Sequence, residues 1–175
     1  MGAVQTNDGV AIVTRGDLLC TVWRDSARFH RTKWLFDVVD EHVMRSPGPL
    51  AVLMIVLSTA EPPDGPARAE NTARLRKLGH AIRRVVTVPV GDAFFLNVVR
   101  TVMRTMFLIQ GQGRIHFVCG TVSEGIDRVI EGASRHTPTP LQIDVDLRAM
   151  CDALDVSSAQ LGARRGSPEA AASVR

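Results

Sequence analysis

The stretch PLAVLMIVLSTAEPPDGPARAEN, Pro49 to Asn71, decides the fold. Leu50 to Leu57 are apolar without alternation, and turn-forming residues bound them on both sides. A half-exposed strand alternates apolar with polar, so this pattern predicts a strand buried on both faces. On that reading Met54→Asp ranks among the most damaging substitutions, because it buries an unpaired carboxylate. The polar loop Ser58 to Pro63 follows, and then Asp64-Gly65-Pro66, where Asp64 caps a new helix and Pro66 occupies its first turn. A central strand feeding a crossover helix is the unit of an α/β domain.

Upstream, residues 9–14 (GVAIVT) and 18–23 (LLCTVW) flank Arg15-Gly16-Asp17 and read as a β-hairpin. Ser26 is placed to cap a helix that runs to Arg45, with Phe29, Leu35, Phe36, Val39 and Val43 at helical spacing. His30 and His42 share no common site and read as solvent-facing. Downstream, a helix from Pro66 to Leu78 carries Leu75, Leu78 and Ile82 on one side and Arg68, Arg74, Arg76 and Lys77 on the other. Such a charged run is the solvated face of a crossover helix. Residues 83–90 (RRVVTVPV) form the next strand.

Asp92 then caps a long helix ending at Gly111-Gln112-Gly113. Asn97, Arg100, Thr101, Arg104 and Thr105 share one arc, while apolar residues including Leu96, Met103 and Phe107 fill the opposite half-turn. A helix lying on a sheet needs an apolar stripe of only about 100 degrees, so part of this surface must meet something else. A neighbouring helix, a partner copy in a homodimer and an apolar ligand groove are the three open readings. Residues 114–119 (RIHFVC) form a further strand, and Thr121-Val-Ser-Glu124 matches a capping box for the helix that follows. His116, inside that strand near Cys119, reads as a core or edge histidine rather than a metal ligand.

Past Gly132 the composition changes. Thr137-Pro-Thr-Pro140 reads as a linker, and residues 141–155 as a strand-like entry and a short amphipathic helix. From Ser157 onward small and polar residues dominate, predicting disorder. The division is thus an α/β domain at 1–134 and an extension at 135–175.

With 45% hydrophobic and 22% charged residues, the 175-residue chain has the balance of a globular protein, and no apolar run is long enough to span a membrane. The N-terminus lacks the pattern of a secretory signal, which places the expected location in the cytoplasm. Three cysteines without close spacing read as reduced and buried. A net charge of +3 permits contact with nucleic acid through Arg74, Arg76, Lys77, Arg83 and Arg84, but the lack of tyrosine and of interleaved aromatics argues against it. No nucleophile, metal or phosphate motif is present, so no catalytic residue, metal ligand or cofactor is assigned.

The order hairpin, helix, strand, helix, strand, helix, strand, helix over residues 9–132 resembles the STAS domain, and more closely the SpoIIAA-like or STAS/SEC14-like bacterial proteins. LAVLMIVL, GHAIRRVVTVPVGDAF and RIHFVCGTVSEGIDRVI carry the resemblance. It implies an α/β fold with a mixed β-sheet, an N-terminal β-hairpin and then alternating helices and strands. It also implies a non-enzymatic regulatory or protein-interaction module, in which a hydroxyl between a central strand and the next helix is phosphorylated. Here that loop holds Ser58, Thr59 and Asp64, with Ser-Thr-Ala-Glu-Pro-Pro in place of an Asp-Ser-Ser-Gly-like sequence. The SEC14-like relatives imply the alternative of a binder or carrier of a small apolar ligand or lipid.

Overall fold

A computed structural model describes residues 2–109 and 115–162, with all side chains except those of 102, 104–109 and 160. The turn expected at Gly111-Gln112-Gly113, the side chain of Phe107 and residues 163–175 lie outside the described residues. Six strands form one mixed sheet in sequential order: β1 (Val4–Asn7), β2 (Val10–Arg15), β3 (Leu18–Trp23), β4 (Leu50–Leu57), β5 (Ile82–Val90) and β6 (His116–Val118). The pairs β1–β2 and β2–β3 are antiparallel, and β3 through β6 run parallel.

Strand β1 was not expected from the sequence. Its signal is Asp8-Gly9, where φ values of 41° and 86° form the two-residue turn that pairs Asn7 with Val10. Positive φ at both positions matches the right-handed twist of the flanking strands, and Asp-Gly accommodates it well.

Helices α1 (Phe29–Arg45), α2 (Gly65–Leu78) and α3 (Ala93–Ile109) each connect neighbouring parallel strands. Right-handed crossovers between sequential neighbours put all three on one face of the sheet. Helices α4 (Val122–Ile130) and α5 (Pro140–Ala153) pack on the other face. The two core clusters follow this division. Ala11, Val13, Cys20, Leu53 and Ile55 pack with Ile126, Val129, Ile143, Leu147 and Met150 on the α4/α5 side. Val10, Ile12, Leu19 and Trp23 pack with Phe36 and Val39 on the α1 side.

Strand β4 therefore differs from the expected strand buried on both faces. Ala51, Leu53, Ile55 and Leu57 are sealed against α4 and α5, but Val52, Met54 and Val56 are only half-buried. The cause lies in α2. Leu78 and Ala67 are its buried residues, and apart from Leu75 its inner turns supply no large apolar side chain to fill the space above β4. Ile82, grouped with α2 from sequence, instead begins β5.

The caps show which local signals hold. Asp64 accepts a hydrogen bond from the Ala67 amide at 2.7 Å, and Asp92 accepts one from the Phe95 amide at 2.8 Å. Ser26 caps no helix: α1 begins after Arg28, and the Ser26 hydroxyl turns to Glu61. Thr121 caps α4 through the Glu124 amide, while Glu124 accepts from the Gly120 amide one residue before the cap.

The expected strand-like entry at residue 141 is instead the first turn of α5. Pro140 stands in its first turn, and Thr139 with Gln142 forms a reciprocal capping box. Residues on both sides of position 134 share one core, since Ile143, Leu147, Met150 and Cys151 are fully buried in the cluster that contains β2 to β5. Asp146, also buried, receives two hydrogen bonds from Arg15 at 2.8 Å each. Nor does order end at Ser157. Ser158–Leu161 form a 3₁₀ turn and Leu161 is buried in the same core. A chain ending at residue 157 is accordingly expected to melt several degrees below one ending at 162, as burial of one leucine contributes about 2 kcal/mol. Equal melting temperatures would show that Leu161 contributes nothing.

Candidate functional site

The loops after β3, β4 and β5 leave the sheet at the carboxyl end of its parallel strands. The β4–α2 loop, Ser58 to Asp64, is tied to the segment after β3. The Thr59 hydroxyl donates to the Arg24 carbonyl, and Glu61 accepts from Ser26 at 3.1 Å and from Arg28 at 3.2 Å. Gly91 lets the β5–α3 loop approach this one, because a Cβ there would stand 2.7 Å from Ser58 Cβ and 2.9 Å from the Phe95 ring. Of the three loop residues singled out from sequence, Asp64 is engaged as a helix cap and Thr59 as a backbone partner. Ser58 stands exposed at the end of β4.

Beneath this rim lies a cavity of about 250 Å³ between the sheet and α1, α2 and α3. Its floor is the half-buried face of β4, Val52, Met54 and Val56, flanked by Trp23 of β3 and Val85 of β5. Leu35 and Phe36 of α1, Leu75 of α2, and Phe95, Val99 and Met103 of α3 form its walls, and Ala60 to Pro63 stand at the rim. The loop and the wide helix, separate in the sequence reading, thus border one space. Met103 lines it and Leu96 does not. Phe95, Val98, Val99 and Met103 of α3 face the cavity, while Phe94 on its outer side is 79% exposed.

The helices over the cavity are joined by charge. Arg74 of α2 reaches Glu70 at 2.8 Å on its own helix, and Asp40 at 2.6 Å and Asp37 at 3.3 Å on α1. The basic run of α2 is therefore more than a solvated face. Arg83 and Arg84 are likewise engaged, the first with Asp17 and the Glu131 carbonyl, the second with Arg128 and Glu131.

His116 is a cavity wall residue of β6, and burial lowers its pKa to about 4. His42, expected to face solvent, is half-buried, and desolvation lowers its pKa as well. The unfolded chain binds a proton at His116 near its ordinary value while the folded chain does not, so stability falls as pH drops below that value toward 4. Between pH 7 and pH 5 the expected loss from His116 is about 2 kcal/mol. Urea denaturation at both pH values should show it, and His116→Gln should remove most of the difference. A variant with an unchanged pH slope would assign the effect elsewhere.

Among the described residues no group of three or more His, Cys, Asp or Glu is arranged to hold a metal ion. Cys20, Cys119 and Cys151 are unpaired by disulfides and buried, and desolvation raises each thiol, Cys119 and Cys151 to about 11. Thiols so raised are poor nucleophiles at neutral pH.

The architecture matches solved structures. An uncharacterised protein of the DUF3478 family from Shewanella loihica PV-4, with a SpoIIAA-like fold, superposes with a TM-score of 0.54 at 13% identity, over 73% of this chain and 99% of that one. The fold is SpoIIAA-like. The anti-sigma factor antagonist SpoIIAA in its unphosphorylated form aligns at 16% identity over 73% of this chain and 97% of that one, with a TM-score of 0.45. No family model and no curated protein matches the sequence. No helix among the described residues is long and apolar enough to cross a membrane.

Proposed function

We propose that this chain is a non-enzymatic regulatory module of the STAS type, working in the cytoplasm, whose input is a small apolar ligand held beneath α1, α2 and α3. The observation that carries this reading is the cavity itself, bounded almost wholly by apolar side chains and rimmed by Ala60 to Pro63. Ligand sites are concave, mostly apolar and bordered by a few polar groups, and this one borders the loop through which the resemblance has STAS proteins act. Occupancy would reach Ser58 through Phe95, which lines the cavity beside Gly91, and through Gly91, which lies close to Ser58.

Met103→Glu is the deciding variant. It puts a carboxylate into the cavity wall, so apolar molecules that co-purify with the wild type should be absent from the variant while the protein stays folded. Native mass spectrometry and organic extraction of both, read beside their melting curves, make the comparison. A wild-type dimer turned into a stable monomer would instead make α3 a self-association surface. An empty monomeric wild type would sink the ligand reading.

A second reading, in which the loop alone docks a protein partner, is favoured by Ser58, exposed at the end of the central strand. It predicts that a charge at Ser58 changes partner binding while filling the cavity with Val52→Trp does not.

A further inference from the structure

The charge distribution around the cavity narrows the class of ligand, and this step rests on the ligand reading above. Among the described residues no lysine or arginine lines the cavity. The basic group that does line it, His116, is neutral at neutral pH because burial lowers its pKa to about 4. Two acids stand at the rim, Asp25 and Glu61, and each already has its arginine: Arg24 bonds Asp25 at 3.0 and 3.2 Å, and Arg28 bonds Glu61 at 3.2 Å. Among the described lining residues a carboxylate or phosphate meets no cationic side chain, and the two arginines at the rim are already engaged by Asp25 and Glu61. A cationic head would have to displace an arginine. Taking either charge from water into an apolar cavity without a partner carries a large desolvation penalty.

The polar groups that remain are uncharged. Thr21 and Thr32 present hydroxyls from the floor and from α1, and Asn71 an amide from α2. Such groups exchange hydrogen bonds with a hydroxyl or carbonyl oxygen. As for size, an apolar cavity of about 150 Å³ holds a benzene ring, and this one is larger at about 250 Å³.

We infer that the ligand is an uncharged, mainly hydrocarbon molecule larger than benzene, carrying at most a hydroxyl or carbonyl oxygen, and that fatty acids and anionic lipid headgroups are excluded from the cavity.

Three probes of equal chain length test this on the full chain near neutral pH: 1-decanol, decanoate and decyltrimethylammonium. Each is titrated below its aggregation concentration against bound Nile red, an uncharged dye, with Trp23 fluorescence as a second readout from the cavity wall. Decanol should bind at least about tenfold tighter than either ion. Asn71→Arg, on a half-buried turn of α2, should reverse the order by bringing decanoate level with decanol or below it in Kd. Decanoate as tight as decanol on the wild type would overturn this inference and leave the ligand reading standing. Failure of every probe and of the dye to bind would overturn both. Binding undiminished by Val52→Trp, which fills the cavity floor, would place the bound molecules elsewhere and overturn the inference.

Discussion

Leu53→Asp should unfold this protein, and Met54→Asp, one residue further along the same strand, should not. Leu53 is fully buried in a cluster of apolar side chains from the sheet and from helices α4 and α5. An unpaired charge there is expected to remove on the order of 5 kcal/mol, comparable to the whole stability of a domain this size. Met54 points the other way and is half-buried on the cavity floor, where its carboxylate can draw water in. About 2 kcal/mol is expected there, together with loss of apolar probe binding. Urea titrations of the two variants make the comparison. Equal losses would mean that the two faces of β4 are equally sealed and that the cavity is closed to water. The sequence reading assigned the large effect to Met54, since an unbroken apolar run does not show which face has a gap above it.

The second large effect concerns α5. A chain ending at Thr137 loses Ile143, Leu147, Met150 and Cys151, all fully exposed to water on unfolding and fully buried when folded. At roughly 1.5–3 kcal/mol for each of these four apolar side chains, the loss is on the order of 6–12 kcal/mol. The truncation also takes away Asp146, the bidentate partner of Arg15, and it uncovers the β1–β3 side of the sheet. No cooperative thermal transition is expected. A sharp transition by circular dichroism in that truncated chain would show that residues 2–137 fold without the helix.

Much of the scaffold was legible because its signals are local. Asp64 with Pro66, Asp92, and Thr121 with Glu124 each mark a helix start through a side chain that meets a backbone amide within a few residues. The β2–β3 hairpin is legible for the same reason, from two apolar runs around a short turn. Ser26 misled because its hydroxyl has a distant alternative, Glu61, which lies 35 residues away in the chain. Strand β1 went unread because it is a polar edge strand whose only strong mark is its Asp-Gly turn.

The candidate site was legible in pieces. The half-turn-wide apolar surface of α3 and the β4–α2 loop were both singled out, each for its own reason, yet nothing in their spacing says that they border one space. Met54, Phe95 and Met103 line one cavity from elements far apart in the chain, and the β5–α3 loop approaches Ser58 at Gly91. His116 was read as a core or edge residue, and only the assembled wall makes it part of a cavity.

By itself the sequence determined the order of strands and helices from β2 to α4 and most of the helix starts, because periodicity and capping depend on neighbours within a turn or two; the SpoIIAA-like fold was legible through resemblance. Tertiary structure alone decided which face of β4 is sealed, where α5 belongs and that α2 spans a gap, held to α1 by Arg74 with Asp37 and Asp40. Cavities arise where packed elements fail to meet. That failure depends on the summed volumes of side chains from several helices and strands, which no single stretch of chain encodes.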